Sequence, residues 1–346
     1  MNCASVGEIP GVSAGWHFRA GSYVRLEPAR SGPPLTGVSV IVCTAGRPQS
    51  CRRLFESIAR QGRVPNDLII VDSSAEAETE EIVRSFAGRP FASLAYARVK
   101  SELAGLTKQR NFGLQLVPTE LVAFFDDDTV LEKRCIAEME AVHESGGDGI
   151  VGVGAYIANA HIEPPFLWRL RRALRITRHL RPGTYDRSGW SIPWSFLPPT
   201  TEIVEGDWLP GGAAMWKTDT VRRVGFCEAF QGYGWGEDLE FSLRARRWGR
   251  LVVAGRARLD HLTEGQGRPD QFRLGYMETR NRWHIHERCL EDRSPRDRRA
   301  LLYGTALDTL LLACGGLLAP WRAKMSAQRV AGRIKAAYHL ALRENS

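Results

Sequence analysis

A chain of 346 residues with 43% hydrophobic and 25% charged side chains can bury a large core, and that balance excludes wholesale disorder. Its 47 Lys and Arg exceed its 39 Asp and Glu, so the net charge of +8 points to an anionic partner: nucleic acid, a phosphate-bearing substrate or an acidic lipid surface. The seven cysteines (Cys3, Cys43, Cys51, Cys135, Cys227, Cys289 and Cys314) form no CxxC pair and have no histidine at zinc-finger spacing, which favours a reduced, cytosolic setting.

Residues 1–36 are rich in Gly, Pro and Arg with weak periodicity and read as an extension ahead of the first strand; they lack the basic start and apolar run of a secretory signal. From Gly37 the pattern changes. "VSVIVCT" is a strand, followed by a loop with Gly46 and Pro48 and a helix ending near Gly62. "DLIIVDSS" is a second strand ending in Asp72, with an acidic helix after it; "FASLAYARV" is a third strand and "LTKQRNFGLQLV" a helix. "LVAFFDDD" then supplies the next strand. Strands alternating with helices imply a parallel α/β sheet whose binding crevice lies at the carboxyl ends of the strands, where the aspartate-bearing turns converge.

The run "AFFDDDTVL" crowds Asp126, Asp127 and Asp128 at the end of a buried strand. Mutual repulsion and desolvation both oppose this, so a cation belongs there, and hard oxygen ligands suit Mg2+ or Mn2+. The first turn, "CTAGRPQS", is not the G-x-G-x-x-G fingerprint, which disfavours a dinucleotide-dependent redox enzyme.

A Trp-, Pro- and Arg-dense stretch at about 156–205 reads as an insertion, with Leu167, Leu170 and Leu174 on one face of a basic helix. This is either a solvated helix packed by its apolar side or a lip meeting an acidic surface or a diphosphate-bearing acceptor. The core pattern resumes with Gly211 and Gly212, which permit close backbone approach, and "GWGEDLEFSLRARRWG" opens a helix with Glu237 and Asp238 in its first turn. Residues 266–346 are helical and basic. Within them 300–321 approach spanning length but carry Asp308 and three glycines, leaving three readings: a span, a surface-lying helix favoured by the basic flanks, or core helices.

The order "VSVIVCTAGRP", "LIIVDSS", "LTKQRNFGL", "FFDDDTVL", "LPGGAAMWKTDTVRRVGFCE" and "GWGEDLEFSLRARRWG" resembles the family-2 glycosyltransferases over residues 37–265, with "RNR" at Arg280–Arg282 beyond. The resemblance implies an α/β GT-A fold with a mainly parallel central sheet and a helical C-terminal region. It further implies inverting transfer from a nucleotide-diphosphate sugar to a glycan or lipid-linked acceptor in cell-surface polysaccharide or glycolipid synthesis, at the cytoplasmic face of the membrane. Carried over by position, Thr44, Arg47 and Asp72 would hold the nucleobase and ribose. Arg110 would face the nucleotide or diphosphate, Asp126 would lie near the ribose with Asp127 as a helper, and Asp128 would bind the divalent cation with His261. Gly211, Gly212 and Glu237 would lie on the acceptor side, and Asp238 would be the catalytic base. The turn C-T-A-G-R-P departs from relatives that carry an aromatic and an Asn before the Arg, and the 156–205 insertion has no general family counterpart.

Two other classes fit parts of the chain. "DDDTV" satisfies the D-x-D-x-[TV] pattern of haloacid-dehalogenase-like phosphatases with Asp126 as nucleophile, but two strand–helix units precede it. The net charge alone would also suit a basic nucleic-acid or membrane-binding protein, yet no nucleic-acid-binding signature supports a nucleic-acid partner.

Overall fold

The computed structural model describes residues 23–26, 36–87, 91, 93–146, 149–263, 269–290, 292 and 294–344. Most of the expected N-terminal extension therefore lies outside the described residues. Two units divide the described residues: one comprises those of Met1–His161 and Pro198–Gln266, the other those of Ile162–Leu197 and Gly267–Ser346.

The first unit is built on a ten-stranded sheet. Its strands and helices are, in chain order, β1 (Tyr23–Leu26), β2 (Val38–Thr44), α1 (Pro48–Ala59), β3 (Asp67–Asp72), α2 (Glu78–Ser85), β4 (Ser93–Arg98), α3 (Leu106–Leu114), β5 (Leu121–Asp126), β6 (Thr129–Leu131), α4 (Cys135–Ser145) and β7 (Ile150–Ile157). The second unit contributes α5 (Phe166–Ala173) and a small hairpin of β8 (Tyr185–Asp186) and β9 (Trp190–Ser191). The chain then returns to the first unit with β10 (Ile203–Gly206), β11 (Ala213–Lys217), α6 (Thr218–Val224), α7 (Glu237–Ala245) and β12 (Arg250–His261).

The sheet order is β1-β4-β3-β2-β5-β11-β7-β12-β10, with β6 also paired to β12. It is parallel through β4-β3-β2-β5 and becomes mixed beyond β5, where β11 runs antiparallel to both neighbours. The strands of the parallel block are near-continuous apolar runs because both faces are covered: every residue of β3 is buried, as are Val38, Val40, Ile41 and Val42 of β2. Pro48 sits in the first turn of α1, where its missing N–H costs no helical bond, and the helix buries Cys51, Leu54, Phe55 and Ile58 at helical spacing. Connections leave β2 toward β3 on one side and reach β5 on the other, so the order reverses at the β2–β5 pair. A crevice at the carboxyl ends of these two strands is the geometric result. The register sets Cys43 opposite Asp126, which brings the loop after Thr44 beside the aspartate triplet.

The second unit continues with α8 (Gln271–Cys289), α9 (Pro295–Leu318) and α10 (Ala323–Glu344). Ser294 starts α9 with a capping box to Asp297, and Pro295 occupies its first turn. Among the described residues α9 is the one helix long and apolar enough to cross a membrane, and 22% of its apolar window is buried. Asp308, which interrupts that run, is buried and ion-paired to Arg171 (2.7 Å) and Arg333 (2.9 Å).

His143 of α4 lies buried against β11, its Nε2 3.3 Å from the Met215 carbonyl. Burial pushes its pKa down from 6.5 to about 4. The unfolded chain therefore binds a proton between these values that the native state refuses, so this contribution is present above about pH 6.5 and lost as pH falls through 4. Acidification from pH 7 to below 4 should cost about 3 kcal/mol through this residue. Urea unfolding across that range should show a smaller loss for His143→Gln than for the native chain.

Candidate active site

The triplet begins where β5 ends. Asp126 closes the strand and is partly exposed, while Asp127 and Asp128 are 4% and 5% exposed in the turn to β6. They are held differently. Thr44 donates its hydroxyl to Asp127 Oδ2 at 2.7 Å, and Arg47 donates Nη1 to Asp127 Oδ1 at 3.0 Å. Burial pushes the Asp127 carboxyl up to about 6 against the pull of Thr44 and Arg47, with Asp126 adding to the rise. Asp127 is thus the tie between the β2 loop and the triplet. Arg47 also reaches Asp128 Oδ2 at 3.5 Å.

Asp128 faces the other way, toward β12. His261 Nε2 lies 3.0 Å from Asp128 Oδ1, and the Leu262 N–H donates to the Asp128 carbonyl at 2.8 Å. Donor atoms of Asp126, Asp128 and His261 all lie within 4.8 Å of one another. Two carboxylates and an imidazole at that separation suit a hard divalent ion that completes its shell with water and phosphate oxygens. These three residues would hold it.

Asp72 is placed beneath the β2 loop and fully buried. Tyr96 donates its hydroxyl to Oδ2 at 2.8 Å, while the Ser74 N–H (2.8 Å) and hydroxyl both bond to Oδ1. The same Ser74 hydroxyl accepts the Gly46 N–H at 2.7 Å. The expectation that Asp72 touches the nucleoside gives way here to a supporting position. A carboxylate in an apolar sheet stays only if local donors satisfy it, and satisfying it fixes the loop bearing Arg47.

Arg110 shows the same shift. Its place in "KQRN" suggests a donor contact, yet it is 2% exposed. Its Nη1 donates to Glu237 Oε1 at 2.5 Å and its Nη2 to Asp126 Oδ1 at 3.3 Å, with the guanidinium over the rings of Phe226 (5.3 Å) and Phe124 (5.6 Å). One cation therefore joins α3, β5 and α7. Glu237 is correspondingly buried. Burial pushes its carboxyl up, opposed by Arg110 and reinforced by Asp238, and its Oε2 has no hydrogen-bond partner among the described residues.

Asp238, next in α7, is only half-buried. Its Oδ1 accepts the Leu239 N–H at 2.8 Å and its Oδ2 accepts the Gly211 N–H at 3.3 Å; burial is the main cause that raises its pKa. Gly211 and Gly212 are demanded by this crowding. A Cβ at Gly211 would meet Glu237 Oε1 at 2.7 Å and Arg110 Nη1 at 3.0 Å, and one at Gly212 would fall within the Asp126 carboxylate. The pair thus lies against the acidic cluster. α7 itself starts from Gly236 at φ +80°, a conformation that suits glycine, which aims the Glu237–Asp238 turn into the cluster.

Three residues were not singled out by sequence reasoning. Gln109 donates Nε2 to the carbonyls of Val71 (2.8 Å) and Thr44 (3.1 Å), pinning the ends of β3 and β2 together. Tyr96 and Ser74 hold Asp72. Only the position of Gln109 beside Arg110 hinted at this, since strand-end carbonyls carry no sequence signal.

Residues 39–196 match the model of Glycosyl transferase family 2. A mannosyltransferase from Pyrobaculum calidifontis, solved with GDP-Man and Mn2+, superposes with a TM-score of 0.52 at 16% identity, covering 90% of this chain and 91% of that one. GalNAc-T7, solved with UDP, GalNAc and Mn2+, gives a TM-score of 0.53 at 16% identity, covering 73% of this chain and 48% of that one. No curated protein matches the sequence.

Replacing Arg110 by Met should leave Glu237 and Asp126 uncompensated and destabilise the chain by about 3–5 kcal/mol. Adding Glu237→Gln should return a measurable part of that loss in urea melts, whereas simple additivity would dissolve the proposed coupling.

Proposed function

We propose, from the premise that this chain is a family-2 glycosyltransferase with a GT-A fold, that it transfers a sugar from a nucleotide-diphosphate donor to an acceptor hydroxyl with inversion at the anomeric carbon. The observation that carries the reading is the convergence of two acidic groups, one with three donor atoms suited to a divalent ion and one with a half-buried, doubly oriented Asp238. The neighbouring folds solved with a nucleotide sugar or nucleotide and Mn2+ make a donor of that class the reference case.

Asp238 acts as the base. Two backbone N–H groups fix its oxygens, which sets the direction in which the remaining lone pair accepts the hydroxyl proton. A raised pKa makes the carboxylate a stronger proton acceptor, provided the solution is basic enough to ionise it. A single base without a covalent partner fits one displacement from the face opposite the leaving group. Arg47 and Thr44 fix the β2 loop at the mouth of the crevice, where the nucleoside would seat. A divalent ion held by Asp126, Asp128 and His261 would neutralise charge gathering on the departing diphosphate. Mn2+ or Mg2+ fits this donor set. The acceptor is a glycan or lipid-linked hydroxyl of cell-surface polysaccharide or glycolipid synthesis, and the chain works peripherally at the cytoplasmic face of the membrane. The basic, apolar surface of α9 and α10 supports that location. The family match sets aside the phosphatase reading of Asp126.

Asp238→Asn should lower kcat by about 10²–10⁴-fold while donor affinity changes little; a variant with weakened donor binding and intact turnover would overturn the assignment. Asp128→Ala should abolish the Mn2+-dependence of donor binding in calorimetry. Equal binding heats with and without the ion in the native chain would remove the metal from the scheme.

A further inference from the structure

We propose that the helical unit takes up one hydrocarbon chain of an anionic membrane lipid in a groove between α8, α9 and α10. This deepens the membrane-face reading above and rests on it, but it concerns a site separate from the acidic cluster.

The groove has a volume of ≈ 360 Å³, within the range of small-molecule sites. Its walls are mainly apolar: Leu301, Ala306, Ile334, Ala337 and Leu340 line it, with Trp283 on α8. Arg333 also borders it, but its guanidinium is turned to Asp308 (2.9 Å) and Glu278 (3.0 Å), so its charge is answered within the protein. The lumen is therefore suited to a chain and not to a charged head. Ala306 and Ala337 are exposed, as are Leu302 (52%) and Ile334 (61%), which leaves the groove open along the α9–α10 side.

Charge selects the occupant. Between residues 295 and 342 the sequence holds only two carboxylates, Asp297 and Asp308, and both are buried in ion pairs with arginines. The exposed charges of that stretch are all positive: Arg296, Arg298, Arg299, Arg322, Lys324 and Lys335. Arg298 lies over the Trp283 ring at 5.1 Å, so a cation stands on a residue that lines the groove. Farther along α9, and in the turn to α10, Leu310 (58% exposed), Leu317 (81%), Leu318 (85%) and Trp321 (79%) continue the apolar surface. A soluble partner face seldom combines that much exposed hydrocarbon with charge of one sign, whereas an anionic bilayer surface complements both. A lipid whose head meets Arg298 and its neighbours Arg296 and Arg299, and whose chain lies along Leu301, Ala306 and Leu340, fits both the charge and the apolar lining.

The test uses the full chain and vesicles of phosphatidylcholine with phosphatidylglycerol whose acyl chains carry bromine, a short-range quencher of tryptophan fluorescence. Trp321 reports surface contact and Trp283 reports the groove. The chain holds ten tryptophans, so the readout is a difference: Trp321→Phe should retain a quenched component, and Trp283→Phe in that background should remove most of that component. Ala337→Phe, which fills the groove, should reduce Trp283 quenching to a similar degree while co-sedimentation with the vesicles stays within about twofold. Co-sedimentation with no Trp283 component would overturn the groove and leave the membrane-face reading standing. Absence of co-sedimentation with anionic vesicles would overturn both. Quenching of Trp283 by a brominated free fatty acid but not by vesicles would overturn the bilayer as the source of the chain.

Discussion

The first unit depends on one buried cation. Arg110 binds Asp126 at the end of β5 and Glu237 at the start of α7, segments more than a hundred residues apart in sequence, with its guanidinium packed over the adjoining rings of Phe124 and Phe226. A guanidinium removed from water is costly unless its donors are answered, so its presence requires the two carboxylates and they require it. Asp126 also belongs to the Asp126–Asp128–His261 group and Glu237 is the chain neighbour of Asp238, so the same ion pair links the end of β5 to the turn that bears Asp238. Gly211 and Gly212 follow from the same constraint, because no side chain fits between that ion pair and β11.

Around this core the three aspartates divide labour that their adjacency conceals. Asp127 is spent on Thr44 and Arg47, and through them on the loop; Asp126 and Asp128 keep donor atoms directed with His261 to a common point. The alternation follows from the turn after β5, in which successive side chains leave in different directions. The repulsion that makes the triplet look improbable in sequence is answered by two arginines, Arg110 at Asp126 and Arg47 at Asp127 and Asp128.

How much of this was legible beforehand can be judged residue by residue. The α/β class and the strands ending at Thr44, Asp72 and Asp126 followed from apolar runs punctuated by polar turns, since periodicity and turn chemistry are local properties, whereas the family entered only as a resemblance carried by the order of six motifs. Asp126 and Asp128 stood out as carboxylates crowded at a strand end, whereas His261 and Asp238 were candidates by their positions in the resemblance. What sequence could not convey was depth. Arg110, Asp72 and Glu237 are polar residues beside the candidate ones, and only three-dimensional packing shows that Arg110 and Asp72 bond to protein groups and that Glu237 lies buried against Arg110. The expected insertion likewise has no marker in sequence of its association: residues Ile162–Leu197 cluster with the C-terminal helices because Arg171 pairs with Asp308 and Tyr303 reaches the Leu174 carbonyl.

Asp308 bears on the proposed surface-lying reading of the apolar C-terminal run. A carboxylate in the middle of a membrane span must be neutralised by partners that enter with it, at a cost of several kcal/mol for each charge left unanswered. Here its partners are Arg171, from outside the run, and Arg333 of α10, which itself holds Glu278 of α8. Transferring α9 into a bilayer core would break these pairs or carry an entire charged network with it. A helix that keeps Asp308 on the protein side and turns Leu310, Leu317 and Leu318 outward loses nothing by meeting a lipid surface sideways. The arrangement of charge within the unit therefore weighs for a helix that lies along an interface, and the basic residues that flank it supply the attraction that would hold it there.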